Sequence, residues 1–482
     1  MLCSGNKFVP HNILRLSHNT LCGTVSLMRR VLGVLLSLPF LAFGTWLGYQ
    51  FVASKRPVRA VAVVVIDTLR ADAALQPTLG GLPNPWADFS SHACANYDRA
   101  YSSAGWTLPS VASLLTGVDP EVHHAHGKAT LLAPISPDLT TLAESFRDQG
   151  FRTVAVTNAA FLNPLLGVDR GFDVYDHEHA YNRSGRRADE SVDRAIRYIE
   201  AAGREDLFLF VHVFDPHLDY DPLDGSGDGA GPVTLSELRD LQAKGGPTPS
   251  ELQRVRSMYD REAGAALRAA HRLYDHYVQS DRYHELTFVL TADHGEEFDE
   301  HGDFEHGHTL HTELVHVPLL ISAERIRPGG MRCDGVVSTR DLGRLLLESL
   351  ELEVPATFAS STSDWKGTGG GTAYSATTLY GPDRIALRTD THAGMLELHV
   401  DEQSTGALYD IAVDPDEQNP LPIDPEFTRA LLDRRRANRK AGELTRRLDW
   451  QDLGPSKHAE RDATLKSLES LGYTGSDRDD GE

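Results

Sequence analysis

The sequence predicts an α/β protein built on a doubly wound, mostly parallel sheet with helices on both faces. Three observations carry this. First, short apolar runs recur along the chain: "VRAVAVVVID", "FRTVAVTN", "DLFLFVHVFDPH", "ELTFVLTADHG" and "HVPLLIS". Their apolar character is continuous rather than alternating, as in strands buried on both faces. Second, "LTTLAESFRDQG", "ADESVDRAIRYIEAAG" and "REAGAALRAAHRLYDHY" lie between the runs and read as helices, and strand alternating with helix implies a parallel sheet. Third, 482 residues with 40% hydrophobic and 24% charged content suffice for one large domain and a smaller one.

From the N-terminus, residues 1–30 form a short leading segment. Met28 followed by Arg29 and Arg30 reads as a natural start, which would make residues 1–27 an extension. Residues 31–53, "VLGVLLSLPFLAFGTWLGYQFVA", carry no charge and are long enough to cross a bilayer. With no A-x-A cleavage site, an uncleaved transmembrane anchor is expected over a signal peptide. Lys55, Arg56 and Arg59 follow the segment, so flanking charge does not orient it. The strand and helix pattern fills residues 57–355. Residues 356–372, containing "ATFASSTSDWKGTGGG", read as a flexible join. Residues 373–482 form a C-terminal subdomain, and "LKSLESLGYTGSDRDDGE" reads as a docking helix with an acidic tail. The stretch "LDGSGDGAGPVTLSELRDLQAKGGPTPS" reads as a surface loop, with a mobile rim over the site as the alternative.

A formal net charge of −22 argues against a nucleic-acid partner, because phosphate neutralisation needs clustered Lys and Arg. The four cysteines show no C-x-x-C spacing, so neither a disulfide framework nor a thiolate metal site is indicated.

In doubly wound sheets ligands collect at the carboxyl ends of the strands. Asp67 ends the first run, Asp215 and His217 follow another, and Asp293 and His294 end a third. Seven of the 22 histidines fall between His284 and His316, an enrichment that points to metal or anion chemistry. In "SSAGWTLPSVASLLTG", Pro109 sits near a helix start and Gly117 at its end, with Thr107 just ahead of the helix. Helix N-termini favour anions, so this hydroxyl is either a cap or an activated nucleophile. Asp, His and a hydroxyl oxygen form a ligand set suited to Zn, Mn, Mg or Ca.

The motifs "VVIDTLRAD", "WTLPSVASLLTG", "FDPHLDYDP", "TADHGEEFDEHG", "GHTLHTELVHVPLL", "VSTRDLGRLLLESL" and "ALYDIAVDPDEQNP" resemble, in that order, sulfatase-like members of the alkaline phosphatase superfamily. The resemblance runs from about Ala60 to Asn419. It implies a hydrolase domain followed by a small C-terminal α+β subdomain with an antiparallel sheet. It also implies a divalent metal held by Asp67, Thr107, Asp293 and His294, with Thr107 as nucleophile, and a catalytic domain outside the cytoplasm. Beside such a metal, His217, His306 and His308 would bind the anion, and His217 and His308 would take part in catalysis, for instance by protonating the leaving oxygen. His212 and Asp215 are weaker candidates.

The departures matter as much. Sulfatases carry C/S-x-P-x-R, whose Cys or Ser becomes formylglycine; here Thr107-Leu108-Pro109-Ser110-Val111 lacks both the convertible residue and the arginine. Thr68 replaces the second acid of the usual Asp-Asp pair. A second metal using Asp215, His217 and His306 or His308 is a further expectation, although one residue separates Asp215 from His217 where related two-metal sites have three. The reading is a membrane-anchored, metal-dependent enzyme that cleaves phosphoesters through Thr107. Its substrate would be an anionic ester, with a lipid or glycan of the envelope as a candidate. The alternatives are a sulfuric ester hydrolase without formylglycine and a catalytically silent anion-binding envelope protein.

Overall fold

A run of valines and alanines ending in Ile66 has no favourable place in water, and it forms the centre of the main sheet. The computed structural model describes residues 58–473 except 89–93, 129–131, 179–185, 223–230, 324, 327–329, 400–403, 449–456 and 471–472. The expected anchor at residues 31–53 lies outside the described residues. Among those described, no helix is long and apolar enough to cross a membrane.

The main sheet comprises β1 (Val58–Ile66), β2 (Ala95–Tyr101), β3 (Arg152–Val156), β4 (Val174–Asp176), β5 (Leu207–Val213), β6 (Tyr283–Ala292), β7 (His316–Val317), β8 (Leu319–Ser322) and β9 (Arg332–Ser338). Their order is β7-β2-β8-β6-β1-β5-β3-β4, with β9 paired to β2. β1 is parallel to both neighbours, Ile66 lying opposite Val213 of β5 and Ala292 of β6. All three strands therefore end at one edge, which brings Asp67, Asp293 and the segment after Val213 together. Every residue of β5, and of β1 from Ala60 on, is buried, so both faces of this part of the sheet are covered. The sheet is mixed: β8 runs antiparallel to β6 and β2, and β7 runs antiparallel to β2.

The helices include α1 (Thr107–Thr116), α2 (Leu142–Asp148), α3 (Ala188–Ala202), α4 (Pro249–Val278), α5 (Leu342–Ser349), α6 (Pro425–Gly442) and α7 (His458–Ser470). Thr141 with Glu144 and Thr248 with Glu251 form capping boxes that start α2 and α4, satisfying backbone N–H groups that a helix leaves unpaired. α4 starts at Pro249, twelve residues before the helical stretch read from the sequence, because Thr248 and Pro249 supply the start signal inside the expected loop. That loop also contains a helix, Leu235–Ala243, which buries Leu235, Leu238 and Leu241.

A separate antiparallel sheet, β10 (Ala373–Ala376), β11 (Arg384–Arg388), β12 (His392–Leu398) and β13 (Ser404–Asp410), lies within residues 373–482. Alternation along β11 divides its labour. Ile385 and Leu387 join Tyr374, Leu396 and Leu431 of α6 in one apolar cluster, while Ala386 packs with Leu310 and Leu314 in another. On the Ala386 side, Arg384 donates to the carbonyl of His308, and Arg388 Nη2 donates to Leu310 O at 2.8 Å. The small sheet thereby braces the histidine-rich segment.

Arg388 also donates to Glu417 at 2.8 Å, and Glu417 pairs with His311 Nδ1 at 3.0 Å. Burial opposes ionisation of Glu417, but Arg388 and His311 outweigh it and hold the carboxyl below its ordinary range. A depressed folded pKa contributes stability that is present above the unfolded value and lost as pH falls through the folded one. Arg388→Ala would leave the buried Glu417 without its main partner and should cost about 3–5 kcal/mol at neutral pH. It should also flatten the loss of stability on acidification. Urea unfolding at neutral and acidic pH measures both, and an unchanged midpoint would refute the role.

Candidate active site

The loop after β1 must bring a carboxylate to the sheet edge and then turn away, and α4 holds it there. Asp67 N–H donates to Val213 O at 2.9 Å. Thr68 takes a left-handed conformation, φ 55°, uncommon for a β-branched residue. Tyr259 of α4 holds this turn by donating to Thr68 O at 2.8 Å and accepting from Arg70 N at 2.9 Å.

The structure places Thr107 differently from the sequence expectation. α1 begins at Thr107 itself, and Trp106 is its N-cap without a side-chain capping bond. The hydroxyl is therefore not used as the cap. Gly117 ends the helix in the left-handed conformation, as expected. Ser110 Oγ, one turn on, donates to Asp293 O at 2.5 Å and ties α1 to the end of β6. Gly295 permits a further close approach, since a Cβ there would lie 2.0 Å from Glu313 O.

Asp67, Asp293 and His294 converge, with ligand atoms all within 4.8 Å of one another. His294 donates Nδ1–H to Gly295 O at 2.9 Å, which leaves Nε2 as the bare nitrogen. Nε2 lies 3.4 Å from Asp67 Oδ1, 3.6 Å from Asp293 Oδ2 and 3.3 Å from Thr107 Oγ1. Neither carboxylate oxygen of the fully buried Asp67 has a hydrogen-bond partner. Burial and then the charges of Asp293 and Glu296 push Asp67 well above the usual carboxylate range. Burial also opposes ionisation of Asp293, but His294 and His212 prevail and lower it. The unpartnered Asp67 oxygens and the bare His294 Nε2, acceptors facing one another, fit a bound divalent cation, and the oxygen and imidazole set suits the hard-to-borderline metals. His212, on β5, lies 3.4 Å from Asp293 Oδ2 and 3.7 Å from Asp67 Oδ2, so it supports the carboxylates rather than an anion.

His217 and His306 form a second layer, their ring centres 4.9 Å apart, with His306 4.4 Å from His294. His217 donates Nδ1–H to Leu218 O at 2.8 Å and stacks on Phe214. Burial, then His306, pushes it down to about 3. His306 Nδ1 pairs with Glu296 Oε1 at 2.8 Å, and Tyr220 donates to Glu296 Oε2 at 2.9 Å. His308 lies further out, joined to Glu297 Oε2 at 2.7 Å. It faces a cleft of about 700 Å³ shared with Arg239, His301, Tyr380 and Arg384.

The expected second-metal set is not brought together. Asp215 is tied to Arg187 at 3.0 Å, and the same guanidinium reaches Glu262 at 2.8 Å. Glu297, His301 and Glu313 also have ligand spacing, but their atoms are committed to protons. His301 Nδ1 pairs with Glu313 at 2.7 Å, and Glu297 accepts from His308 and from the backbone N–H groups of His301 and Asp303.

Sequence reasoning did not single out Glu296, Tyr220 or Tyr473. Glu296 stood inside the quoted "TADHGEE" motif, two residues past His294. Tyr220 stood inside the quoted "FDPHLDYDP" motif and reaches Glu296 through the fold, and Tyr473 meets the histidines only through the fold.

No curated protein matches significantly in sequence. Among solved structures, the chain is similar to a protein determined with its substrate D-glucosamine-2-N,6-O-disulfate, at 16% identity, TM-score 0.60, and coverage of 84% of this chain and 100% of that one. It is similar to a phosphonate monoester hydrolase from Silicibacter pomeroyi at 18% identity, TM-score 0.59, and 79% and 94% coverage. It is also similar to the phosphonate monoester hydrolase of Agrobacterium radiobacter at 16% identity, TM-score 0.59, and 82% and 96% coverage. These likenesses establish a shared fold. The sulfatase family profile matches residues 59–351, which takes in the β1 edge, α1 and the whole histidine segment. On that match the chain belongs to the sulfatase family, and it is an ester hydrolase of the alkaline phosphatase superfamily.

Proposed function

We propose that the protein cleaves phosphoesters through Thr107, with a divalent metal held by Asp67, Asp293, His294 and Thr107. The observation that carries this is the threonine hydroxyl at the first position of α1, 3.3 Å from His294 Nε2, beside a buried carboxylate whose oxygens have no hydrogen-bond partner. When bound, the metal lowers the cost of ionising the hydroxyl and offsets charge on the ester oxygens.

The chain's own groups supply the rest. The N–H groups at the start of α1 face the developing negative charge. Thr107 Oγ forms its bond to phosphorus as the bond to the leaving oxygen breaks. His217 and His306 border the place where that oxygen departs, and through their Nε2 atoms the proton released by Thr107 can pass to it. Water or an acceptor alcohol then attacks phosphorus and frees Thr107.

The rival substrate is a sulfate ester, as carried by the disulfated glucosamine of one structural neighbour. In formylglycine sulfatases a second hydroxyl on the same carbon expels sulfate. Thr107 has one hydroxyl, so a sulfated threonine would require attack of water at sulfur. Phosphonate monoester hydrolases among the structural neighbours are consistent with attack at phosphorus. The test is a matched set of 4-nitrophenyl phosphomonoester, phosphodiester and sulfate. One of the phosphate esters should turn over faster, and a faster sulfate reaction would overturn the choice.

A further inference from the structure

The C-terminal helix α7 docks beside the site, and Tyr473, beyond the helix end, places its side chain in it. Leu468 is fully buried, and Asn163 Nδ2 donates to Thr464 Oγ1 at 2.9 Å. Tyr473 N–H donates to Leu468 O at 2.9 Å. The Tyr473 ring meets Phe161 edge to face at 4.7 Å, and Phe161 meets Trp106, the residue before Thr107, at 5.4 Å.

The Tyr473 hydroxyl lies between two imidazoles. It is within hydrogen-bond distance of His217 Nε2 and 3.4 Å from His306 Nε2. Because His217 Nδ1–H is committed to Leu218 O, His217 Nε2 accepts, and Tyr473 O–H is the donor. The phenol oxygen keeps its lone pairs toward His306. Packing on Phe161 needs only the ring, and phenylalanine would supply it. The hydroxyl instead reaches the two histidines, and Thr107, His306, His217 and Tyr473 are all at most 6% exposed.

We propose that Tyr473 is an active-site residue whose hydroxyl helps hold the anionic ester against Thr107. Its O–H turns from His217 Nε2 to an ester oxygen when substrate binds. A residue beyond α7 thus completes a site whose other parts come from α1 and from the segments that follow the main-sheet strands. This inference rests on the reading of Thr107 as nucleophile at this site.

The test uses the full chain with Tyr473→Phe, which keeps the ring and removes only the donor, alongside Tyr473→Ala and Thr107→Ala. A hydrogen bond to a charged group predicts that Tyr473→Phe lowers kcat/KM for a 4-nitrophenyl phosphodiester about 10- to 100-fold. The inhibition constant of inorganic phosphate should rise by a similar factor while the unfolding temperature stays close to that of the unaltered protein. Tyr473→Ala should then add little further loss in kcat/KM. Full activity and unchanged phosphate inhibition in Tyr473→Phe would reduce Tyr473 to packing, and increased activity would make it a plug; either overturns the inference. If Thr107→Ala is inactive in that same experiment, the nucleophile reading survives; if Thr107→Ala stays active, that reading fails as well.

Discussion

Thr107→Ala is expected to lower phosphoester turnover by about four orders of magnitude or more, because removal of an obligatory nucleophile leaves only binding and electrostatic assistance. The fold should survive. Thr107 is 1% exposed, and its hydroxyl makes one hydrogen-bond contact, at 3.3 Å to His294. The lost atoms are few, and the expected stability cost is about 1 kcal/mol. Activity and stability therefore separate, which distinguishes a nucleophile from a structural hydroxyl. Thr107→Ser keeps the oxygen and should recover part of the rate. Rapid acid quench of the unaltered enzyme with substrate, followed by peptide mass spectrometry, should find phosphate on Thr107. Phosphate at another residue, or turnover near that of the unaltered enzyme in Thr107→Ala, would overturn the assignment.

Asp293→Ala is expected to abolish metal content and activity together. Asp293 supplies an atom to the ligand group, accepts the backbone N–H of His294 at 2.9 Å, and faces His212 at 3.4 Å. Its loss removes a ligand and the brace of another. A readout independent of turnover is available through linkage. A metal that binds only the folded chain at a hundredfold excess over its Kd stabilises it by about 2.7 kcal/mol. Chelator-treated protein should therefore gain thermal stability on addition of one of Mn²⁺, Zn²⁺, Mg²⁺ or Ca²⁺, and Asp293→Ala should gain none. Acid should weaken binding in the unaltered protein, because protons compete with the ion for its ligand atoms. Full metal occupancy in Asp293→Ala would refute the ligand set.

Much of this site could be read from the linear chain because its residues follow the strands most strongly marked by composition. β1, β5 and β6 are runs of Val, Leu, Phe and Ala that only a sheet covered on both faces can bury. In a parallel sheet the ends of such strands share an edge, so Asp67, Asp293 and His294 converge by topology alone. β2, "ANYDRAY", was not legible in the same way. Asn96, Asp98 and Arg99 interrupt its apolar pattern, and their costs are offset by contacts the sequence does not show. Asn96 Nδ2 and Arg332 both donate to Asp98, and Arg99 Nη1 donates to Asp390 O at 2.8 Å.

By itself the sequence determined the α/β class, the buried central strands and the identity of the acids and histidines that follow them, because burial is a local consequence of residue type. Only the tertiary structure decided which of those polar groups meet. Asp215 was paired with Arg187, which it shares with Glu262, and His308 with Glu297 at the cleft. Tyr473 reached His217 across 256 residues of chain. Hydrogen bonds and ion pairs depend on ångström-scale distance and direction, and no periodicity of the chain encodes which of several distant polar groups will arrive at one point.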